Sequence, residues 1–180
     1  MKCGASQEAR GFTLLELLVV MAIAALIFGL AIPSYHRVKS QASSAACAGK
    51  LRDIGIAVNA YTGDHGLRLP VMAAARDNRK EDIPVMDTVL LEYVKDEITF
   101  QCPSDHKGLF EKSGSSYFWN SLINGQMTGN MNFLGFTKNS TRIPIVSDKE
   151  NFHKNVGDEV NILYADGHVK KKLQFVVDPH

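Results

Sequence analysis

Residues 17–35, LLVVMAIAALIFGLAIPSY, run nineteen positions without a formal charge, and the apolar character begins earlier, at Phe12. No polar stripe interrupts the run. At about 1.5 Å of rise per residue, a helix over 12–32 covers roughly 30 Å, the thickness of a bilayer's hydrocarbon core. A helix buried in a soluble domain usually keeps one polar side. A secretory signal peptide has a shorter apolar run and a small-x-small cleavage pattern, which Pro33-Ser34-Tyr35 lacks. The pattern therefore predicts a membrane-spanning helix over residues 12–35.

The rhythm then changes. Cys47, Leu51, Ile54, Val58 and Tyr61 recur at spacings of three and four, with polar Lys50, Arg52, Asp53 and Asn59 between them. That is one apolar stripe on a solvated helix. It predicts an amphipathic continuation over 36–61, stopped by Gly63 and Gly66, so that one helix of about 75 Å runs over residues 12–61. Residues 68–84 are polar and broken by Pro70 and Pro84, which predicts a loop with a turn of helix at 72–76. A short helix is expected at 85–94. The segments 98–102, 117–119, 143–146, 160–165 and 168–176 are rich in β-branched and aromatic residues and read as strands. Between the last two, Asp166-Gly167 has the composition of a type I′ hairpin turn. The expected fold is α+β: a long N-terminal helix packed on a small antiparallel β-sheet head spanning residues 62–180.

Composition narrows the function. The 180 residues carry a formal charge of only +1, and the basic side chains are dispersed, so neither a nucleic-acid field nor a nucleic-acid partner is expected. Three cysteines are too few for a disulfide scaffold, and Cys102 has no second cysteine at the local spacing of a zinc site. An enzyme would have to gather Asp148, His153, Asp166 and His168 around a metal or a water. Asp166 and Gly167 are already explained by a turn, His168 flanks it, and His153 sits in a polar loop. No nucleophile elbow and no phosphate-cradling glycine loop is present. The expectation is no enzyme, no small-molecule substrate and no cofactor.

The apolar run is preceded by MKCGASQEARG, which contains Lys2, Glu8 and Arg10 and ends in Gly11 directly before Phe12. Gly11-Phe12-Thr13-Leu14-Leu15-Glu16 and the run behind it resemble the prepilin peptidase site of type IV pilins and type II secretion pseudopilins. The resemblance implies a cytoplasmic leader over residues 1–11, cleavage after Gly11 by a prepilin peptidase, and N-methylation of Phe12. It also implies a single-pass protein of the inner membrane with its head in the periplasm. The mature chain would assemble with copies of itself and with other pilins or pseudopilins into a filament.

Glu16 is the only ionisable side chain between Phe12 and Tyr35. A charge at the centre of a membrane helix costs about 2.5–3.5 kcal/mol, and less near an end. Hydration in the headgroup region is one way to meet that cost. The resemblance implies another, pairing with the freed amino terminus of a neighbouring subunit. Two unit charges about 4 Å apart at an effective dielectric near 20 attract by roughly 4 kcal/mol before desolvation. Pro33 removes a backbone donor and is expected to bend or loosen the helix, either for assembly or as a plain kink.

With Cys3 removed in the leader, Cys47 and Cys102 remain. A disulfide between them and two buried thiols both fit the pattern. The stretch CAGKLRDIGIAVNAYTGDHGLRLP, together with a His ahead of LYADGHV, resembles a prepilin subgroup defined by a His and a downstream Asp-Gly. In that subgroup nine residues intervene, whereas twelve separate His153 from Asp166. Some pseudopilins also hold calcium through loop oxygens, which makes Asp148, Asp158, Glu159 and Asp166 the residues to examine for a metal. The alternative to a filament subunit is a singly membrane-anchored binding module that does not polymerise.

Overall fold

A single helix, α1 (Leu14–Asp64), carries both hydrophobic patterns. The computed structural model describes residues 12–153 and 160–171. The chain divides into two units at Val38. In the first, the large apolar side chains from Leu14 to Ile32 are all between 46% and 81% exposed, so the helix presents hydrocarbon on every side. Only lipid or other apolar helices make that surface stable. The helical backbone passes through Pro33 without a break.

In the second unit the stripe is buried. Cys47, Leu51, Ile54 and Val58 are at most 2% exposed and join one core with Leu90, Phe100, Tyr117, Trp119, Ile143 and Leu163. The helix runs through Gly63 to Asp64 and is stopped at Gly66 alone, which adopts φ +63°, and the Leu67 N–H returns to the Thr62 carbonyl at 2.8 Å. This left-handed cap satisfies a carbonyl that has no partner further along the helix.

Four short strands form one antiparallel sheet in the order β1 (Tyr117–Trp119), β2 (Pro144–Asp148), β3 (Ile162–Tyr164), β4 (Val169–Lys170). Tyr117 lies opposite Asp148, and Ser147 opposite Ile162. Around the sheet sit two short helices, α2 (Met86–Val89) and α3 (Leu109–Ser113). A buried ion pair between Arg76 and Asp87 ties the loop after α1 to α2, and Arg76 Nε also donates to the Ser113 carbonyl at 3.1 Å.

The structure departs from the expected elements at four places. Residues 72–76 form no helical turn. Their backbone is used at long range instead, with the Ala73 N–H on the Pro84 carbonyl at 2.8 Å and the Ala74 carbonyl taking the Trp119 N–H at 3.0 Å. The helix expected at 85–94 is α2 followed by a separate 3-10 turn, Leu91–Tyr93. The segment 98–102 is not a strand: Glu97–Phe100 is a 3-10 turn, capped by the Asp96 side chain accepting from the Ile98 N–H. The β3–β4 turn is not type I′, because Gly167 has φ +89° while Asp166 is not left-handed. The Gly167 N–H bonds to the Tyr164 carbonyl and the Tyr164 N–H to the His168 carbonyl, both at 2.9 Å. This is a three-residue loop that uses one left-handed glycine. Residues 172–176, expected to extend the last strand, lie outside the described residues.

Candidate functional site

The start of α1 is a capping box. Thr13 Oγ1 accepts the Glu16 N–H at 3.2 Å, while Glu16 Oε2 accepts both the Thr13 N–H and the Thr13 hydroxyl at 2.9 Å. Two backbone donors that the first turn would leave open are thereby satisfied reciprocally. The consequence is positional. The carboxylate is folded back onto residue 13, one residue along the chain from the Phe12 nitrogen, at the helix end where the backbone dipole favours negative charge. The spacing Thr13-x-x-Glu16 that makes the box is legible in the sequence.

In the head a second cluster assembles around a disulfide. Cys47 and Cys102 are bonded, with an S–S distance of 2.12 Å and a Cα–Cα distance of 5.2 Å, across 55 residues of chain. His153 is only 3% exposed, and its Nε2 stands 3.7 Å from Cys102 Sγ and 3.9 Å from Asp148 Oδ2. Asp148 Oδ2 accepts the Asn161 N–H at 2.8 Å and the Asn161 side-chain amide at 2.9 Å. Burial pushes the Asp148 carboxyl up to about 6, against the pull of the two Asn161 bonds. Burial also pushes the His153 imidazole down, with Lys171 adding to the shift. Asp148 Oδ1, His153 Nδ1 and the Tyr117 hydroxyl are buried without a hydrogen-bond partner among the described residues.

Residues 7–32 match the family described as the prokaryotic N-terminal methylation motif. The chain carries the type IV prepilin-like signal. That motif marks structural pilin-type precursors, and its apolar helix fits a single-pass membrane anchor. No curated protein and no solved structure matches this chain.

The other residues with an expected role fall into three groups. Gly11, the expected cleavage position, lies outside the described residues, as do Asp158 and Glu159. Phe12 opens the described chain and is exposed. Asp148 is buried beside His153, whereas Asp166 is exposed at the hairpin, where its Oδ1 accepts the His168 N–H at 3.1 Å and also contacts the His168 ring. Of the residues expected for a metal, only Asp148 and Asp166 are described, one buried and one exposed. The set that is gathered is Cys47, Cys102 and His153, whose ligand atoms all lie within 4.8 Å of one another. His153 was expected in a polar loop; the structure buries it against the disulfide. No local pattern signals this, because the two cysteines it meets come from distant parts of the chain.

Proposed function

We propose that the chain is a prepilin or pseudopilin, cut after Gly11 by a prepilin peptidase, methylated on the Phe12 nitrogen and assembled into a type IV pilus-like or type II secretion filament. The observation that carries this reading is the methylation motif over residues 7–32, with its Gly11-Phe12 junction and an acid at Glu16. Cleavage turns an amide nitrogen into a cation at the one point where the membrane helix carries a carboxylate. The capping box supports the reading because it already holds Glu16 against Thr13, beside the nitrogen that cleavage frees. In a filament the helices pack side by side, and the same carboxylate meets the Phe12 amine of a neighbouring copy. The heads face the periplasm and the apolar helices fill the filament centre, which covers the exposed hydrocarbon of residues 14–32.

Co-expression with a prepilin peptidase tests the processing step. Intact-mass and N-terminal peptide measurements are expected to show loss of the first eleven residues and one methyl group on Phe12. A chain that keeps Lys2 in the presence of an active peptidase would overturn the proposal and leave the singly anchored module.

A further inference from the structure

The disulfide neighbourhood holds more polar chemistry than a disulfide uses. A cystine bridge needs no base, yet His153 is buried beside it with its Nε2 facing Cys102 Sγ. A buried imidazole gathered with two sulfurs becomes a metal-ligand set once those sulfurs are thiols. Membrane anchoring and filament assembly, both seated in residues 12–35, make no use of it.

The donor types and their spacing identify the occupant. Zinc prefers four ligands drawn from thiolate, imidazole and carboxylate, at about 2.3 Å to sulfur and about 2.0–2.1 Å to nitrogen or oxygen. Around one tetrahedral ion those lengths place a sulfur and a nitrogen about 3.6 Å apart. His153 Nε2 stands 3.7 Å from Cys102 Sγ, and the donor atoms of Cys47, Cys102 and His153 all lie within 4.8 Å of one another. The two sulfurs are unavailable to a metal only because they are bonded to each other. Without the bridge they are two thiols in one packed core.

We propose that the reduced head binds one zinc ion through Cys47, Cys102 and His153, with a water as the fourth ligand, and that forming the disulfide expels it. Binding releases two protons as the thiols become zinc thiolates. Expulsion is a thiol–disulfide exchange with a small-molecule disulfide. The two cysteines give up two electrons and the Cys47–Cys102 bond forms. The donor's S–S bond breaks, and its halves take two protons from water and leave as thiols. The zinc ion returns to solution. The site is therefore a redox-gated metal site: metal in the dithiol state, a bridge in the oxidised state.

The test uses the full chain in detergent micelles, reduced with a phosphine under anaerobic conditions and freed of reductant. Zinc titrated against a chromogenic chelator is expected to bind with a stoichiometry of one, and cobalt in its place is expected to give a thiolate-to-metal charge-transfer band. Oxidised glutathione should abolish the band and release the metal as the free-thiol count falls to that of Cys3 alone. The untreated, bridged chain should bind none at this site. His153→Gln should weaken zinc binding by at least about tenfold, since even outer-shell partners of a metal site cost that much. Its helix content and its ability to re-form the disulfide should stay intact. A reduced wild-type chain without the thiolate band overturns the proposal, as does equal zinc binding by the bridged chain or by an intact His153→Gln variant.

Discussion

Asp105 illustrates how one side chain organises a stretch of head that has little regular structure. Its Oδ1 accepts the Leu109 N–H at 3.1 Å, and its Oδ2 accepts the Phe110 N–H at 2.9 Å and the Ser116 hydroxyl at 2.7 Å. Ser116 Oγ in turn accepts the Cys102 N–H at 3.1 Å, so the carboxylate connects the start of α3 to the bridged cysteine. Partial burial works to raise this carboxyl, but the hydrogen bonds from Ser116, Phe110 and Leu109 outweigh it and hold it below its ordinary value of 3.8. For an acid with a lowered pKa, the stabilising contribution is present above the ordinary value and is lost as pH falls through the folded value. Asp105→Asn is therefore expected to lower the urea midpoint at neutral pH and to flatten its decline below about pH 4, where the carboxylate of the unfolded chain takes up its proton before that of the folded one. Urea unfolding as a function of pH checks this; an unchanged acid limb would show that Asp105 does not shape it. Asp105 and Ser116 escaped the sequence reading because their partnership spans eleven residues and follows no periodic pattern.

Among elements, the contact between α1 and β3 depends on a missing side chain. Gly55 lies in the buried part of the helix, and a Cβ there would meet Leu163 Cδ2 at 3.2 Å and Cδ1 at 3.4 Å. A helical glycine ordinarily costs about 1 kcal/mol relative to alanine. Close approach of helix and strand accounts for keeping it. Gly55→Ala should be nearly neutral, since the gain in helix propensity offsets a slight shift of a flexible leucine end. Gly55→Leu should destabilise the head by about 1–3 kcal/mol through overpacking. Calorimetry on the two variants separates packing from propensity: equal effects would place the cause in the helix alone. The same scale explains the elements that sequence misplaced. Residues 72–76, Met-Ala-Ala-Ala-Arg, favour helix locally, but Pro84 and Trp119 engage their backbone, and two long-range hydrogen bonds outweigh a weak local preference. Ile98, Thr99 and Phe100 suggest a strand, yet the Asp96 cap starts a 3-10 turn that leaves Ile98 exposed and buries Phe100.

For the molecule as a whole, the test of assembly lies at Glu16. On the proposed reading, Glu16→Val removes the carboxylate that meets a neighbour's amino terminus while leaving a fully apolar anchor. The variant is expected to be cut, methylated and inserted like wild type, yet to fail to restore filament growth or secretion in a complementation assay. Thr13→Ala in the same assay is expected to keep most of the function, because it loses only the intrachain half of the arrangement. Full complementation by Glu16→Val would show that the acid serves its own helix cap alone.

What the sequence determined by itself were the features written in adjacent residues: the apolar run, the junction at Gly11-Phe12, the acid at Glu16, the stripe through Cys47, Leu51, Ile54 and Val58, and the paired strands around Asp166-Gly167. Each depends on a period or a short motif, and the physics behind it acts within one or two turns of chain. The tertiary structure alone brings about the bridge between Cys47 and Cys102, the burial of His153 and Asp148 beside it, and the non-helical path of residues 72–76. Those outcomes depend on groups tens of residues apart reaching one place, where burial raises the cost of every unpaired polar atom and makes the company of each side chain matter more than its neighbours in sequence.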